Sequence, residues 1–541
     1  MLLSLAASTL LLAVLSSSAA PAANELAARN VTSAALQNSL SLDSLLAHAK
    51  KLTEFATLSN GTRALGTAGH NATVTYIKQL LDDTGAYTTQ LQSFPTLIAD
   101  SMLWNLTVDG QKFESKGFMP SNFFELGDAS ADPITGRVVT IPNSGCEWGD
   151  FEGDLWDKIV LLKGGGECSD RVKWSNAGSV GGLLISTPET IEDHDTQILD
   201  ISKRGHDSHS LRTNPRSLAS GRGDPREPPS TRAVAPALYI SNQDHARLAE
   251  SLSARKEVVA TVYCVVTRKE KWSSNLIATT KTGDQANIVM AGAHSDSVPA
   301  GPGINDNGSG TITLLDLALQ LSKFQFNNAV RFGWWSAEER GMLGSDYYVK
   351  HLSPAEQQSI ALYLNFDMTA SPNAGYFIFD GDGDTFGNAV APGSAHIEHT
   401  FLEYFAAERM RNGTIEFSRD TDYVPFMDAY IPVGGLFSGA GENKTEEEAA
   451  WCVNSFVQIV NSALLRCASR LRWGGKANAP YDPCYHQACD TIENLNTKAL
   501  LFNAKGAAHA IATYANSLEA IPRSRDLDVS DDSDDDIQDD N

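Results

Sequence analysis

The chain has 541 residues, more than a single hydrophobic core usually serves, so its length predicts two domains with terminal extensions. A hydrophobic fraction of 42 % is enough for a packed interior. The formal charge of −24 argues against a nucleic-acid partner, which would need a basic face, so we expect a globular protein that binds no nucleic acid.

The first residues have the pattern of a secretory signal peptide. An apolar stretch of suitable length is followed by small residues between Ala19 and Ala23, although no Lys or Arg precedes it. A membrane anchor, the alternative, would need a longer apolar run. We predict that residues 1–23 are a signal peptide and that the mature chain has no membrane partner. We expect it to be secreted, with the vacuolar lumen as the alternative destination.

Two further patterns are typical of the secretory pathway. Cys484 and Cys489 are spaced for a local disulfide, and so are Cys146 and Cys168 around a glycine-rich turn, whereas no CxxC spacing suggests a cysteine zinc site. Asn307 lies too near the candidate site described below to be a good glycosylation acceptor. It is one of several N-x-S/T sequons, at Asn30, Asn60, Asn71, Asn105, Asn307, Asn412 and Asn443.

The region before the candidate site divides into a helical and a β-rich part. Residues 24–100 contain the helical patterns LDSLLAHAKKLTEFATL and NATVTYIKQLLDDTG, and we expect them to pack on the α/β domain that follows. Residues 101–265 contain short strand patterns (GRVVTIP, KIVLLKG, VGGLLIS) separated by turns, which predicts a small inserted β-rich domain. Within it, residues 201–233 are basic, aperiodic and rich in Pro, Ser and Gly, as in a disordered loop.

Residues 266–520 alternate strand and helix patterns. This alternation predicts an α/β fold with a mixed, largely parallel central sheet flanked by helices. The strand patterns cover residues 287–294, 329–339, 360–368 and 431–440, and the helical patterns cover 310–324, 345–352 and 394–410.

Two stretches near the C-terminus do not fit this alternation. Residues 451–472 have a composition foreign to their surroundings and are predicted to be an atypical insertion. Residues 521–541 contain an acidic run that cannot bury apolar surface, so we predict a disordered tail. A calcium site in this tail would need a defined loop, which the run lacks.

Polar residues suited to a metal ion follow three of the predicted strands. His294 ends the first strand, Glu338 and Glu339 end the second, and Asp367 ends the third. Asp306 lies in the glycine-rich loop that opens the next helix. Ligands gather at the carboxyl ends of strands in open α/β sheets, and imidazole and carboxylate groups bind zinc. Two ions about 3.5–4 Å apart can share one carboxylate.

A second imidazole is needed for a two-ion site, and His486 is the strongest candidate. It lies in YDPCYHQACDT, where the Cys484–Cys489 pair would hold its loop rigid. Glu338 would remain unligated and available as a general base. A lone His at a strand end is more often structural, and a Glu pair usually begins a solvated helix. The order and placement of all these residues nevertheless predict a metal site.

The chain resembles the zinc aminopeptidases of family M28, close to the fungal vacuolar or secreted leucine-type enzymes, in GAHSDSV, PGINDNGSG, WWSAEERGMLGS, LNFDM, TDYVPF, YIPVGGLFSGA and YDPCYHQACDT. The resemblance implies a zinc-exopeptidase fold with two zinc ions as cofactors. It implies His294 and Asp367 on one zinc, Glu339 and His486 on the other, and Asp306 as the bridging ligand.

The resemblance also implies roles for residues around the ligands. Glu338 would be the general base, and Asp296 would hold His294 through the imidazole nitrogen that faces away from the metal. Tyr423 matches a tyrosine that would hydrogen-bond substrate. The family's Arg-Ser-Asp-Tyr pattern is altered here to SRDTDYVPF, which leaves Arg419 and Asp422 as alternatives for a substrate role.

The β-rich part resembles a protease-associated domain, and the resemblance places Cys146 and Cys168 in its disulfide. Such domains shape substrate access without chemistry of their own. Residues 201–233 replace a shorter loop of the family, and residues 451–472 interrupt a segment that is continuous in relatives. We hypothesise that one or both are lineage-specific insertions or translated introns, which the sequence of the transcript would decide.

The implied function is that of a monomeric metallo-aminopeptidase. It would remove the N-terminal residue from peptides with a free N-terminus and prefer leucine-like apolar residues. One alternative is a non-catalytic binding ectodomain of the same fold, which should have lost at least one ligand. The other is a related carboxypeptidase or glutaminyl cyclase.

Overall fold

The computed structural model describes residues 29–113, 117–119, 133–141, 143–151, 153–165, 173, 176–177, 180–186, 237–387, 390–450 and 473–522. The predicted signal peptide, the stretches 201–233 and 451–472, and residues 523–541 of the acidic tail lie outside these ranges. The predictions made for those segments therefore stay predictions.

The described residues form helices on both sides of a large sheet. The α-helices are α1 (Ser33–Ser39), α2 (Leu42–Ala56), α3 (Ala68–Thr84), α4 (Asn242–Ser253), α5 (Gly308–Leu321), α6 (Leu343–Lys350), α7 (Pro354–Ser359), α8 (Ser394–Ala407), α9 (Val424–Asp428), α10 (Glu446–Ala450) and α11 (Thr497–Asn516). The strands are β1 (Arg29–Asn30), β2 (Tyr87–Val108), β3 (Gln111–Phe113), β4 (Gly117–Met119), β5 (Ile134–Thr140), β6 (Lys158–Leu162), β7 (Gly182–Ser186), β8 (Ala237–Ile240), β9 (Val259–Thr280), β10 (Asp284–His294), β11 (Phe324–Gln325), β12 (Asn328–Trp335), β13 (Ile360–Phe366), β14 (Phe377–Phe379), β15 (Gly413–Ile415), β16 (Val433–Phe437), β17 (Asn443–Lys444) and β18 (Ala479–Pro480).

The centre of the sheet is parallel and its flanks are mixed. The order β16-β13-β10-β12 consists of parallel neighbours. β9 then pairs with β12 in the antiparallel direction, and β14 pairs antiparallel with β16 at the opposite side. The predicted mixed, largely parallel sheet flanked by helices is therefore confirmed. The second predicted strand ends earlier than expected, at Trp335, and a 3₁₀ turn over Glu338–Arg340 follows it.

Both faces of the central strands are buried, which explains their nearly continuous apolar sequences. On one face the sheet shares a hydrophobic core with helices α1, α2, α3, α5 and α11, through side chains such as Leu36, Leu45, Ile77, Leu315 and Ile511. The other face packs beneath a second cluster that includes Met290, Trp335, Tyr363, Phe426 and Val433. Such a two-sided core holds the strand ends at fixed positions.

Residues 87–100, which were predicted within the helical part, instead begin the long strand β2. β2 pairs with β9 in antiparallel register from Tyr87↔Thr280 to Val108↔Ala260. Both strands continue through the predicted domain boundaries at 100/101 and 265/266, and their pairing has an irregularity between Ala99 and Ser101. A long two-stranded ribbon with polar and apolar residues intermixed gives no clear period-two pattern, so the sequence did not reveal it. The assignment of a separate inserted domain stays a prediction.

Beyond this ribbon lies a second group of parallel strands. β5 pairs antiparallel with β9, and β5, β6, β7 and β8 are parallel to one another in that order. Alternate side chains of these strands enter two hydrophobic clusters, for example Leu161 and Leu184 in one and Val160 and Leu183 in the other. The helix α4 begins directly after β8. Among all the described residues, none of the helices combines the length and apolar character that a membrane span requires.

Candidate metal centre

Three neighbouring strands deliver their C-terminal residues to one place. His294, the last residue of β10, is in register with Trp335, the last residue of β12. Glu338 and Glu339 follow β12 after a sharp turn in which Ala337 adopts a left-handed backbone (φ 61°). Asp367 follows β13 directly. Parallel strands end at the same edge of a sheet, so these four side chains meet because of the topology.

Asp306 lies between two imidazoles. Its Oδ1 is 3.3 Å from Nε2 of His294, and its Oδ2 is 2.9 Å from Nε2 of His486. Each imidazole has one further carboxylate neighbour: Oδ1 of Asp367 is 3.4 Å from His294, and Oε2 of Glu339 is 3.3 Å from His486. The five predicted ligands therefore divide into two pairs that share Asp306.

Glu338 lies beside the first pair without being needed as a ligand. Its Oε2 is 3.6 Å from Nε2 of His294, and its side chain is 12 % exposed, against 3 % for Glu339. The structure thus brings together all six residues that the sequence indicated for ligation and for the base. The greater exposure of Glu338 suits a carboxylate that has to reach substrate.

The donor set fits divalent metal ions. The atoms of His294, Asp306 and Glu339 that could bind a metal lie within 4.8 Å of one another, and all three residues are buried. Oδ1 of Asp367 and Oε1 of Glu339 are buried oxygens that accept no hydrogen bond from the described residues. Buried charged oxygens without partners are costly, and a bound cation removes that cost. Imidazole and carboxylate are ligands that zinc accepts.

The electrostatics of the cluster show an excess of acidic groups. Burial raises the pKa of Glu339 to about 7, with a contribution from Asp306, and raises the pKa of Glu338 well above its ordinary value. Burial opposes the charged form of His294, yet the nearby carboxylates raise its pKa well above its ordinary value. His486 behaves alike, and its carboxylate neighbours raise its pKa to about 9. Carboxyl groups outnumber imidazoles, so the cluster favours added positive charge.

His486 reaches the site from a loop that is held on both sides. The predicted Cys484–Cys489 disulfide is present, with a Cα–Cα distance of 5.3 Å. His486 itself has a left-handed backbone (φ 60°), which is uncommon for a residue with a side chain. A conformation of this kind persists when its surroundings determine it, and here the disulfide encloses it.

Cys146 is disulfide-bonded, but its predicted partner Cys168 lies outside the described residues. That pairing therefore stays a prediction. Asn307 is fully buried, and its side chain donates to the carbonyl of Phe366 and accepts from the amide of Gly310. A buried, hydrogen-bonded amide is a poor glycosylation acceptor, as its position in the sequence indicated.

Asp296 supports the site differently from the prediction. Nδ1 of His294 is 3.2 Å from the main-chain carbonyl oxygen of Asp296, whereas the closest carboxylate oxygen of Asp296 is 3.9 Å away. The carboxylate instead accepts the amide N–H of Glu338 at 3.2 Å. Asp296 therefore contacts His294 through its backbone, and its side chain fixes the start of the turn that holds Glu338.

Tyr423 was predicted to contact substrate, and the structure places it inside the protein. Its ring is fully buried and packs edge-on against Phe379 and Phe417. Its hydroxyl donates to the carbonyl of Ser418. A contact between Tyr423 and substrate stays a prediction. Arg419 forms an ion pair with Asp428 at 2.6 Å on the surface.

Sequence reasoning missed a buried network that joins the Asp306 loop to the His486 loop. The carboxylate of Asp490 accepts the amide N–H groups of both Asn305 and Asp306, at 2.9 and 3.0 Å. Asp482 accepts from the side-chain amides of Asn305 (2.7 Å) and Asn494 (2.9 Å). The network fixes the two loops relative to each other. Only the sequence nearness of Asp482 and Asp490 to His486 could have indicated it.

A buried arginine from the N-terminal region was also missed. Arg63 is fully buried and donates to the carbonyls of Ser295, Pro302 and Gly303, at 2.5, 2.8 and 2.6 Å. These three carbonyls belong to the loop between His294 and Asp306. Arg63 therefore shapes the loop that connects two ligands, and its isolated position in the sequence gave no sign of this role.

Comparison with known proteins agrees with this fold. The profile of Peptidase family M28 matches residues 275–511. Leucine aminopeptidase 2 of Arthroderma otae is 36 % identical over 493 residues, which cover 90 % of this chain and 87 % of that protein. An aminopeptidase from Aneurinibacillus sp. strain AM-1 shares the fold with a TM-score of 0.59 at 20 % identity, covering 91 % of this chain and 98 % of the other. A zinc aminopeptidase from Bacillus subtilis does so with a TM-score of 0.53 at 20 % identity, covering 88 % and 97 %.

The converging strand ends and the shared carboxylate form a cluster of side chains that could hold a metal ion. The similarity over most of the chain then specifies the group: the protein belongs to Peptidase family M28 and is a peptidase.

Proposed function

We propose that the protein is an aminopeptidase that works with two zinc ions. The position of Asp306 carries this proposal, because each of its oxygens faces a different imidazole and each imidazole has its own second carboxylate. His294 and Asp367 would hold one ion and His486 and Glu339 the other. When bound, such ions polarise the scissile carbonyl and make a water molecule more acidic.

Glu338 supplies the proton transfer. Its carboxylate would accept a proton from the attacking water and return it to the leaving amine, as a general base that then acts as a general acid. Asp296 keeps Glu338 at the mouth of the centre by accepting its backbone N–H. Burial, which raises the pKa of Glu338, makes its carboxylate a stronger proton acceptor than an exposed glutamate, as a general base requires.

The substrate would be a peptide with a free N-terminus, and its first residue a leucine-like apolar one. The support is the 36 % identity to a protein named leucine aminopeptidase 2. An acidic, buried centre also suits a substrate that brings its own α-ammonium group. We propose a monomer that needs no nucleic-acid or membrane partner.

We also propose that the protein acts outside the cytosol, as a secreted enzyme, with the vacuolar lumen as the alternative. The disulfide beside His486 supports an oxidising compartment. Several sequon asparagines support glycosylation because their side chains are exposed, namely Asn30, Asn60, Asn71, Asn105 and Asn443.

The decisive experiment separates metal binding from turnover. We expect wild-type protein to hold two zinc ions and to hydrolyse a leucyl anilide. Glu338→Ala should keep both ions and the fold but lose at least about 10²–10⁴-fold in turnover, because only proton transfer is removed. Near-normal turnover of this variant would contradict the role of Glu338, and wild-type protein without zinc would contradict the function as a whole.

Substrate choice tests the related activities. The same wild-type protein should leave an N-acetylated leucyl peptide uncut and should not cyclise an N-terminal glutamine. Cleavage of the blocked peptide from its C-terminal end would point to a carboxypeptidase, and pyroglutamate formation to a glutaminyl cyclase. Zinc binding without any turnover would point to a binding ectodomain.

A further inference from the structure

A chain of hydrogen bonds runs through the core beneath the candidate centre and ends on a metal ligand. Nε1 of Trp335 donates to the hydroxyl of Tyr363 at 2.8 Å, and that hydroxyl donates to Oδ1 of Asn365 at 2.9 Å. Nδ2 of Asn365 donates to Oγ1 of Thr421 at 3.1 Å, and Thr421 donates to Oδ2 of Asp367 at 2.7 Å. The four donors are buried.

The first donor fixes the direction of every bond that follows. The indole of Trp335 can only donate, so the hydroxyl of Tyr363 has to accept from it and sends its own proton to Asn365. Asn365 then presents its amide NH₂ to Thr421. Because the oxygen of Thr421 accepts from Asn365, its proton is directed at Asp367. Hydrogen bonds aligned in this way strengthen one another in a buried setting.

The sheet leaves room for this hydrogen-bond chain at one glycine, Gly292. Tyr363, Asn365 and Asp367 alternate along β13 and its end and therefore point to the same face. Asn365 is in register with Gly292 of β10 and with Gly435 of β16. A Cβ atom at Gly292 would collide with the hydroxyl of Tyr363. The glycine in the pattern MAGAH thus has a specific steric purpose.

The last bond of the hydrogen-bond chain distinguishes the two carboxylate oxygens of Asp367. Oδ2 accepts a hydrogen bond from the hydroxyl of Thr421, whereas Oδ1 accepts no hydrogen bond from the described residues and lies 3.4 Å from Nε2 of His294. A carboxylate with one oxygen held in this way cannot rotate to present both oxygens equally. Outer hydrogen-bond partners of this kind orient metal ligands.

We propose that Thr421 is a positioning residue that reserves Oδ1 of Asp367 for the metal ion, as the last donor of a one-way hydrogen-bond chain. This role rests on the proposed metal centre. The hydrogen-bond chain would affect one of the two ions, the one between His294 and Asp367. The ion at His486 would not depend on it.

The test compares zinc affinity in three threonine variants. Thr421→Val removes the hydroxyl at nearly constant volume and should weaken one of the two zinc affinities by about 10- to 100-fold. Thr421→Ser keeps the donor and should restore it. Thr313→Val is the matched control, because Oγ1 of Thr313 is also buried but accepts and donates no hydrogen bond among the described residues. Competition with a chromogenic chelator measures both affinities, and thermal unfolding of the metal-free proteins verifies the fold.

The outcomes are distinguishable from those for the function itself. Wild-type protein that binds no zinc contradicts the proposed function, whatever Thr421 does. Wild-type protein with two zinc ions, together with unchanged affinities in Thr421→Val or a loss that serine does not restore, contradicts the positioning role. Tyr363→Phe interrupts the chain far from the metal and should weaken the same affinity less than Thr421→Val. Equal weakening in Thr313→Val would show a packing effect and overturn the proposal.

Discussion

Two sets of parallel strand ends in this chain differ in the residues that follow them. The ends of β10, β12 and β13, here called the metal edge, continue into His294, the Glu338–Glu339 pair and Asp367. The ends of β6, β7 and β8, here called the bare edge, show no group of metal-binding side chains in the described residues. Both sets are parallel and buried on two faces. Parallel strands therefore bring together the residues that follow them, but the identity of those residues decides whether a metal-binding group forms.

The two edges nevertheless share one structural device. At the metal edge, the buried guanidinium of Arg63 donates to carbonyls of the loop that follows β10. At the bare edge, the buried ammonium of Lys173 donates to the carbonyls of Lys163 and Gly165, in the loop that follows β6. A buried cation thus holds a post-strand loop in each place, but only one of these loops connects metal ligands.

The largest contrast is expected between two buried aspartates. Asp306→Asn should remove the shared ligand, strip the zinc and abolish turnover, because an amide does not bridge two cations as a carboxylate does. Asp150→Asn, near the bare edge, alters a carboxylate that accepts the amide N–H groups of Gly145 and Glu147, and should leave turnover and zinc unchanged. Zinc content and leucyl anilide hydrolysis measure both variants. Full activity of Asp306→Asn would contradict the role of Asp306 as the shared zinc ligand.

A smaller contrast is expected between the two buried cations. Arg63→Met should lower the free energy of unfolding by about 2–4 kcal/mol, because three carbonyls lose their donor. It should also weaken zinc binding, since its loop joins His294 to Asp306. Lys173→Met should lower stability without any effect on zinc. Urea unfolding and chelator competition measure the two quantities. Equal zinc affinity in both variants would show that the Arg63 loop does not support the centre.

The smallest contrast concerns pH. Burial lowers the pKa of His70, whose Nε2 lies 2.9 Å from the hydroxyl of Ser295, to about 3. Below about pH 6.5 the unfolded chain therefore binds a proton on His70, while the folded protein does not. The free energy of unfolding keeps its full contribution from His70 above that pH and falls below it. Between pH 6.5 and 5 this effect lowers the free energy of unfolding by about 2 kcal/mol, and His70→Gln should abolish that part of the pH dependence.

The half-buried His245 of α4, whose pKa burial also lowers, provides the control for this pH dependence. His245→Gln should remove less of the loss than His70→Gln. Urea unfolding of metal-free protein at the two pH values measures the difference without a contribution from released zinc. An equal effect of both variants would mean that the full burial of His70 next to the metal edge does not determine the pH dependence of stability.

The metal edge could be predicted because its signals are local. Each of His294, Glu339 and Asp367 lies at or within a few residues of the end of an apolar run, and parallel strands separated by helices place such residues together. His486 was found because two nearby cysteines indicated a rigid loop, and the disulfide confirmed that part of the prediction.

Other features depend on contacts between distant parts of the chain and gave no local signal. Arg63 is about 230 residues from the carbonyl of Ser295 that it binds, and Asp490 is 184 residues from the amide of Asp306. The pairing of β2 with β9 escaped notice because several of the described side chains along both strands are exposed, so no strict alternation of apolar residues marks the ribbon. The assignment of a carboxylate to Nδ1 of His294 was natural from residue types, whereas the backbone of Asp296 supplies that contact.

The loop around His486 links the maturation of this protein to its surroundings. Before Cys484 and Cys489 are joined, the left-handed backbone at His486 is held by non-covalent contacts, such as the hydrogen bonds of Asp482 and Asp490 and the stacking of Tyr485 on His486. A newly made chain in a reducing environment would thus keep one imidazole loosely held. Oxidation of two thiols, rather than the supply of metal alone, would then mark the moment at which the peptidase becomes complete.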